Sequence, residues 1–210
     1  MILFLRNDMF SSFAGGPEMK IVLASESQFR RRALDIIGLT YETCPSRIDE
    51  KTIRDDNPSE LTRKLAEAKA RKVANEYPDA VVVAGDAVVC KGDRVYEKPR
   101  NIAEAAQFLS ELSASEFQFV TSLAVFHSRT GKMLSTVEIS DISFRQLSKR
   151  EIQAYISKYA VLNYAGAFES DAVLLFAERI SGSYNFVTAL PVSRLIVFLR
   201  AQGATTETED

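Results

Sequence analysis

A mixed α/β fold is predicted for this chain: a twisted sheet carrying both parallel and antiparallel strands, with helices flanking it. Three observations predict it. Short β-branched and apolar runs, of which Ala80 to Ala84 is the clearest, read as buried strands. Amphipathic stretches with helix-start signals lie between them. Two long strand-like runs follow one another directly across a short turn, which a purely parallel sheet does not allow.

Taken in order, Ile21 to Ala24 is a short apolar strand, and Ser25 to Arg32 turns it into a helix that continues through Ile37. Tyr41 to Pro45 reads as a short strand, followed by a polar loop through Ile48-Asp49-Glu50. Asn57-Pro58-Ser59-Glu60 starts a helix, with Asn as cap, Pro at the first helical position and Glu three residues after the cap. That helix is expected to run to about Tyr77, with Leu61, Leu65, Ala68 and Val73 on one face. In the next strand Gly85-Asp86 is read as an interruption, with Ala87 to Cys90 resuming beyond it, and Lys91-Gly92-Asp93 turns the chain back through Arg94 to Tyr96. Pro99 holds Lys98 out of helical geometry. Asn101 to Glu104 and Ser148 to Glu151 are read as capping boxes that open helices to about Leu112 and Lys158. Between them lie the two long strands, about Phe117 to Phe126 and Leu134 to Phe144. A small-residue and acidic loop, Asn163 to Asp171, is expected to feed a strand at Val173 to Ala177, and the last helix to begin at Leu190-Pro191.

The chain of 210 residues suits one core, whole or split into two lobes. Its net charge of −2 speaks against bulk binding of DNA or RNA. Cys44 and Cys90 lie far apart without metal-type spacing and read as reduced thiols of a cytoplasmic protein. The single His127 excludes a zinc site built on several histidines. The apolar start is too short to span a membrane, and no other stretch reads as a membrane segment. Residues 1–18 are expected to form a disordered extension, or to precede a functional start at Met19, with an acidic tail at 203–210.

Chemistry concentrates at a few positions. A helix N-terminus presents unpaired N–H groups and the positive end of the helix dipole, so Ser25, Ser27 and Arg30 to Arg32 suit an anion, naturally a phosphate. The same residues also suit a plain N-cap and a solvated helix face. Lys69, on the apolar stripe of its helix, either snorkels to water or meets an anion. Asp86, between apolar segments, is either a turn aspartate or a buried carboxylate that must be paired or bound to a metal.

In this order the pieces resemble the Maf family of nucleoside triphosphate pyrophosphatases, also called septum-formation inhibitor-like proteins, over about Met19 to Gln202. The residues that carry the resemblance are the Leu-Ala-Ser-x-Ser opening with its arginines, Leu23 to Arg31, and the Asp49-Glu50 pair. They continue with Lys69 in its Ala-x-x-Lys-Ala setting, Asp86 before Val-Val, Lys98-Pro99, the Ala165 to Phe168 loop and Leu190-Pro191. The resemblance implies two lobes around a cleft, as in inosine triphosphate pyrophosphatases, and a homodimer. It also implies cleavage between the α and β phosphates with a divalent cation, Mg²⁺ or Mn²⁺. Asp86 then matches the proton acceptor, and Ser25, Arg30, Arg31, Lys69 and Lys98 are the candidates to neutralise the triphosphate. Glu50 is the candidate metal carboxylate, ahead of Asp49, and either also suits a surface role.

Three cleft positions separate two branches of the family: Arg, Thr and Gln in the one favouring dTTP and UTP, and Trp, Gln and Glu in the one favouring 7-methyl-GTP. Here they are Phe29, Ala87 and Asp171, closer to the second. A carboxylate can accept the N1–H and 2-amino hydrogens of guanine but meets two carbonyl oxygens on uracil, and an aromatic ring can stack on the base, more strongly when the base is cationic. Ala87 keeps neither branch's polar group, and Asp171 is one methylene shorter than Glu. The alternatives are a dTTP/UTP-preferring or broad-specificity pyrophosphatase and, from another class, a nucleotide-binding regulator of septum formation with little turnover.

Overall fold

The computed structural model describes residues 19–183 and 185–203. The expected extension at 1–18, and the tail beyond Gly203, lie outside the described residues. Seven strands form one mixed sheet. β1 (Ile21–Leu23) pairs in parallel with β2 (Glu42–Thr43) on one side and with β3 (Val81–Lys91) on the other. β3 then pairs antiparallel with β5 (Glu116–His127), which pairs with β6 (Met133–Phe144), which pairs with β7 (Ala177–Gly182). The short β4 (Arg94–Tyr96) folds back on the end of β3.

Side chains alternate between the faces of a strand, and β3 shows what each face meets. Val81 and Val83 pack with Leu34 of α1 (Gln28–Ile36) and Leu195 and Leu199 of α6 (Val192–Ala201). Farther along the same face, Val89 enters an aromatic-rich core with α3 (Ile102–Leu112) and α4 (Lys149–Lys158). Val82 and Ala84, on the opposite face, pack against Ala66, Ala70 and Val73 of α2 (Pro58–Ala74). Two helical clusters thus share one face at opposite ends of the long strands, with a cleft between them.

The expected break at Gly85-Asp86 is absent. β3 runs through it, in register with β5 from Val81 opposite His127 to Cys90 opposite Gln118. What stops there is the neighbour on the other edge: β1 pairs only with Val81 to Val83, and β4 only with Val89 to Lys91. Gly85 to Val88 have no strand beside them on that edge, and the cleft opens at this gap. Glycine at 85 is a matter of space. A Cβ there would stand 2.7 Å from Leu190 Cδ1 and 2.8 Å from the Ser122 carbonyl oxygen.

Other differences have local causes. The strand expected at Val173 to Ala177 is a 3-10 turn, Asp171–Leu175, and the strand follows it as Ala177–Gly182. Val173 and Phe176 are buried while Leu174 and Leu175 are exposed; the inward spacing is three, and a short apolar run does not reveal that by itself. α2 ends at Ala74, short of Tyr77. A short helix, α5 (Asn185–Thr188), precedes α6. Ser148 and Glu151 close a reciprocal capping box. At Asn101 only half of one forms, because the Glu104 carboxylate accepts the Arg100 N–H at 2.6 Å. Asn57 caps α2 through the Ser59 and Glu60 N–H groups, while Glu60 turns to Arg63. Cys44 and Cys90 are both free thiols.

Candidate active site

The cleft has a volume of about 1130 Å³ and is lined from both helical clusters. Its charged end is built by β1, α1, α2 and β3. Ser27 is the residue that caps α1, which releases Ser25 from that duty. Ser25 Oγ accepts the Ser27 N–H at 3.1 Å and an Arg30 guanidinium N–H at 3.3 Å. Arg30 also donates from Nε to the Ala189 carbonyl at 3.1 Å. It is no solvated helix residue. Burial lowers its pKa from the usual value, opposed by the negative charges of Asp86 and Glu50.

On the opposite face of β3, Asp86 points toward α2, where the Lys69 ammonium donates to its Oδ1 at 2.6 Å. Both residues are only 7% exposed. The same ammonium lies 2.9 Å from Glu50 Oε1. Lys69 therefore does not snorkel to water, and Asp86 is a paired strand residue. α2 is held to this strand by Ser122 of β5, whose Oγ donates to the Thr62 carbonyl at 2.7 Å and accepts the Asp86 N–H at 3.2 Å. Glu50 opens a 3-10 turn, Glu50–Thr52, that Asp49 caps by accepting the Lys51 N–H. That bond takes one oxygen of the Asp49 carboxylate, and Asp49 does not line the cleft.

Arg31 and Lys98 stand at the mouth, exposed, with Arg31 donating to the Glu26 carbonyl at 3.1 Å. Phe29 and Ala87 line the cleft too. Phe29 is nevertheless 7% exposed, since it crosses from α1 into the aromatic core at the far end. One cleft thus gathers Ser25, Phe29, Arg30, Arg31, Glu50, Lys69, Asp86, Ala87 and Lys98. Asp171 is placed only as the first residue of its 3-10 turn; its side chain lies outside what the structure describes.

This geometry can hold a polyanion against an arginine and a lysine that stand on opposite faces of one strand edge, with a carboxylate between them. The family of Maf-like proteins matches residues 20–202. The chain belongs to that family. A dTTP/UTP pyrophosphatase of Syntrophus aciditrophicus is 32% identical over 192 residues, 91% of this chain and 94% of that protein. A 7-methyl-GTP pyrophosphatase of Colwellia psychrerythraea is 30% identical over 185 residues, 87% of this chain and 92% of that protein. Among solved structures, the Staphylococcus aureus Ham1 protein is similar at a TM-score of 0.41 and 17% identity, over 60% of this chain and 71% of that one. The Maf-like chain is a hydrolase of the pyrophosphatase kind.

Sequence reasoning passed over several residues of this Maf-like cleft. Tyr164 and Gln28 line it and meet each other, Gln28 Nε2 donating to the tyrosine hydroxyl at 3.3 Å. Arg54 and Glu97 also line it, 3.7 Å apart. Tyr164 directly precedes the Ala165 to Phe168 motif, and an aromatic beside a tight small-residue turn was the available signal. Ser122 gave none, being one hydroxyl in a strand of mixed residues.

Proposed function

We propose that the protein hydrolyses nucleoside triphosphates between the α and β phosphates, releasing a monophosphate and pyrophosphate, with a preference for guanine nucleotides such as 7-methyl-GTP. The observation that carries the reaction is the buried Lys69–Asp86 pair on the cleft floor, with Glu50 beside it and Arg30 across the strand edge. Asp86 orients a water and takes its proton as the water oxygen bonds to the α-phosphorus and the bond to the bridging oxygen breaks. Arg30, Lys69 and Ser25, with Arg31 and Lys98 at the mouth, compensate the charge that moves onto the pyrophosphate.

The donor set suits a divalent ion. Two carboxylates, Asp86 and Glu50, converge on one ammonium at 2.6 and 2.9 Å, and Mg²⁺ is commonly held by one or two carboxylates together with substrate phosphates. Glu50 would hold it together with the substrate phosphates, leaving Asp86 to the water, and when bound it would supply charge stabilisation at the phosphate oxygens. The guanine preference rests on Asp171 as acceptor for the base edge and on the absence here of the Arg, Thr and Gln set. The two relatives divide between the two substrate classes, so they leave the base open.

The test is an assay with Mg²⁺ or Mn²⁺ against 7-methyl-GTP, GTP, UTP, dTTP and 5-methyl-UTP, with monophosphate and pyrophosphate read separately. Asp86→Asn is expected to lower kcat by on the order of 10²- to 10⁴-fold while nucleotide still binds. Fastest turnover of UTP or dTTP would keep the reaction and overturn the base assignment. No turnover of any nucleotide would overturn the reaction and favour a binding regulator.

A further inference from the structure

Ring stacking at the base end of the cleft was expected of Phe29, but its ring is spent on the core. At 7% exposure, and with Tyr164 against it at 5.7 Å between centroids and 67° between planes, Phe29 has almost no surface to give. Tyr164 is the half-buried aromatic that lines the cleft at that end. Resting on the nucleotide reading above, we propose that Tyr164 is the surface on which the nucleobase stacks, with Phe29 as the buttress that fixes its ring.

The ring is held from several sides before any ligand arrives. Gln28, on α1, donates across the cleft to its hydroxyl. The next turn, Ala165–Ala167, is anchored to the exit of β4 by the Gly166 N–H donating to the Glu97 carbonyl at 3.3 Å. Gly166 takes φ +66, and a Cβ there would stand 2.8 Å from Phe168 and 2.9 Å from Val89, so the turn is seated on the core. Beyond it, the Tyr155 hydroxyl accepts the Glu169 N–H at 2.8 Å and pins the far end of the loop. An aromatic side chain fixed in advance loses little freedom when a ligand docks on it. Bases of every kind offer a π-face, so the contact strengthens binding generally and favours the larger purine ring. Tyr164 thereby joins the two helical clusters through the ligand as well as through Gln28.

The test compares wild type, Tyr164→Ala and Tyr164→Phe for binding of α,β-methylene GTP, α,β-methylene UTP and inorganic triphosphate, by calorimetry with Mg²⁺. Tyr164→Ala is expected to weaken the GTP analogue by about tenfold or more and the UTP analogue by less. Inorganic triphosphate, which has no base, should bind Tyr164→Ala as it binds wild type. Tyr164→Phe, which keeps the ring, should restore most of the lost affinity. Equal weakening of inorganic triphosphate would show general damage to the cleft and overturn the proposal, as would unchanged binding of the GTP analogue. Because binding is read without turnover, a protein that binds these analogues but hydrolyses no nucleotide overturns the catalytic reading and leaves the stacking result standing. A wild type that binds none of the three overturns both.

Discussion

Two regions of the sheet, on opposite faces and toward opposite ends of the long strands, are packed by opposite means. On the α2 face, toward β1, the side chains are small: Ala24, Ala66, Ala70, Ala84 and Ala124 with Val22 and Val82. Near α3 and α4 they are rings: Phe144 has Phe117 at 4.7 Å, Phe168 at 5.4 Å and Phe176 at 5.6 Å, and Tyr155 meets Phe176 at 4.8 Å. The alanines let a helix lie close to a strand, and closeness is what Lys69 requires to reach Asp86. The rings fill a wide space with few residues and shape the wall that carries Tyr164. One end is built for reach and the other for contour.

If that contrast holds, the two ends should fail differently. The largest effect is expected at the aromatic end, where Phe144→Ala removes a fully buried ring with three ring partners. A loss of about 3–5 kcal/mol in denaturant unfolding is expected, with the remaining folded protein keeping much of its kcat. Ala66→Leu at the other end adds volume between α2 and the strands. It should cost about 1–3 kcal/mol, yet lower kcat by a larger factor than Phe144→Ala does, since it moves the helix that carries Lys69. Steady-state kinetics on the two folded variants decides; equal activity losses would dissolve the contrast.

The smallest effect concerns pH and belongs to the aromatic end alone. The Ser148 N–H, then its hydroxyl, then Arg145 hold the Glu151 carboxyl down at about 2, from an ordinary 4.5. A depressed carboxyl stabilises the fold above its unfolded pKa, and the contribution fades as pH falls through the folded one. Thermal melts of wild type and Glu151→Gln should therefore differ at neutral pH and converge between about pH 4.5 and 2. Curves that stay parallel would detach the cap from the pH response.

Most elements were legible because their signals are local. Asn57, Asn101 and Ser148 all cap helices, and the tight turns at Gly92 and at 128–132 sit where residue type demands. The misreadings came where the answer lay on another part of the chain. Gly85-Asp86 looked like a break because a glycine and an acid are poor strand residues. The reasons for them, Leu190 and the Ser122 carbonyl on one side and Lys69 on the other, come from three distant segments. Asn185 is a similar case, a polar residue whose partners, Thr121 and Ser140, stand on distant strands in the interior. The charged half of the site was readable as residue types in order. The aromatic half was not, because burial of Phe29 depends on a core assembled from the other end of the sheet.

The gap on the edge of β3 has its own consequence. Over Gly85 to Val88 the strand keeps its β5 partner and lacks any on the other side, and Asp86, Ala87 and Val88 face the cleft. A main chain in that position can offer amides and carbonyls to a ligand much as it would to an incoming strand. Contacts of that kind do not depend on which side chain occupies the position. The side chain at 87 can therefore change while the main-chain groups beside it stay in place, so this part of the cleft tolerates substitution without losing what the strand itself offers.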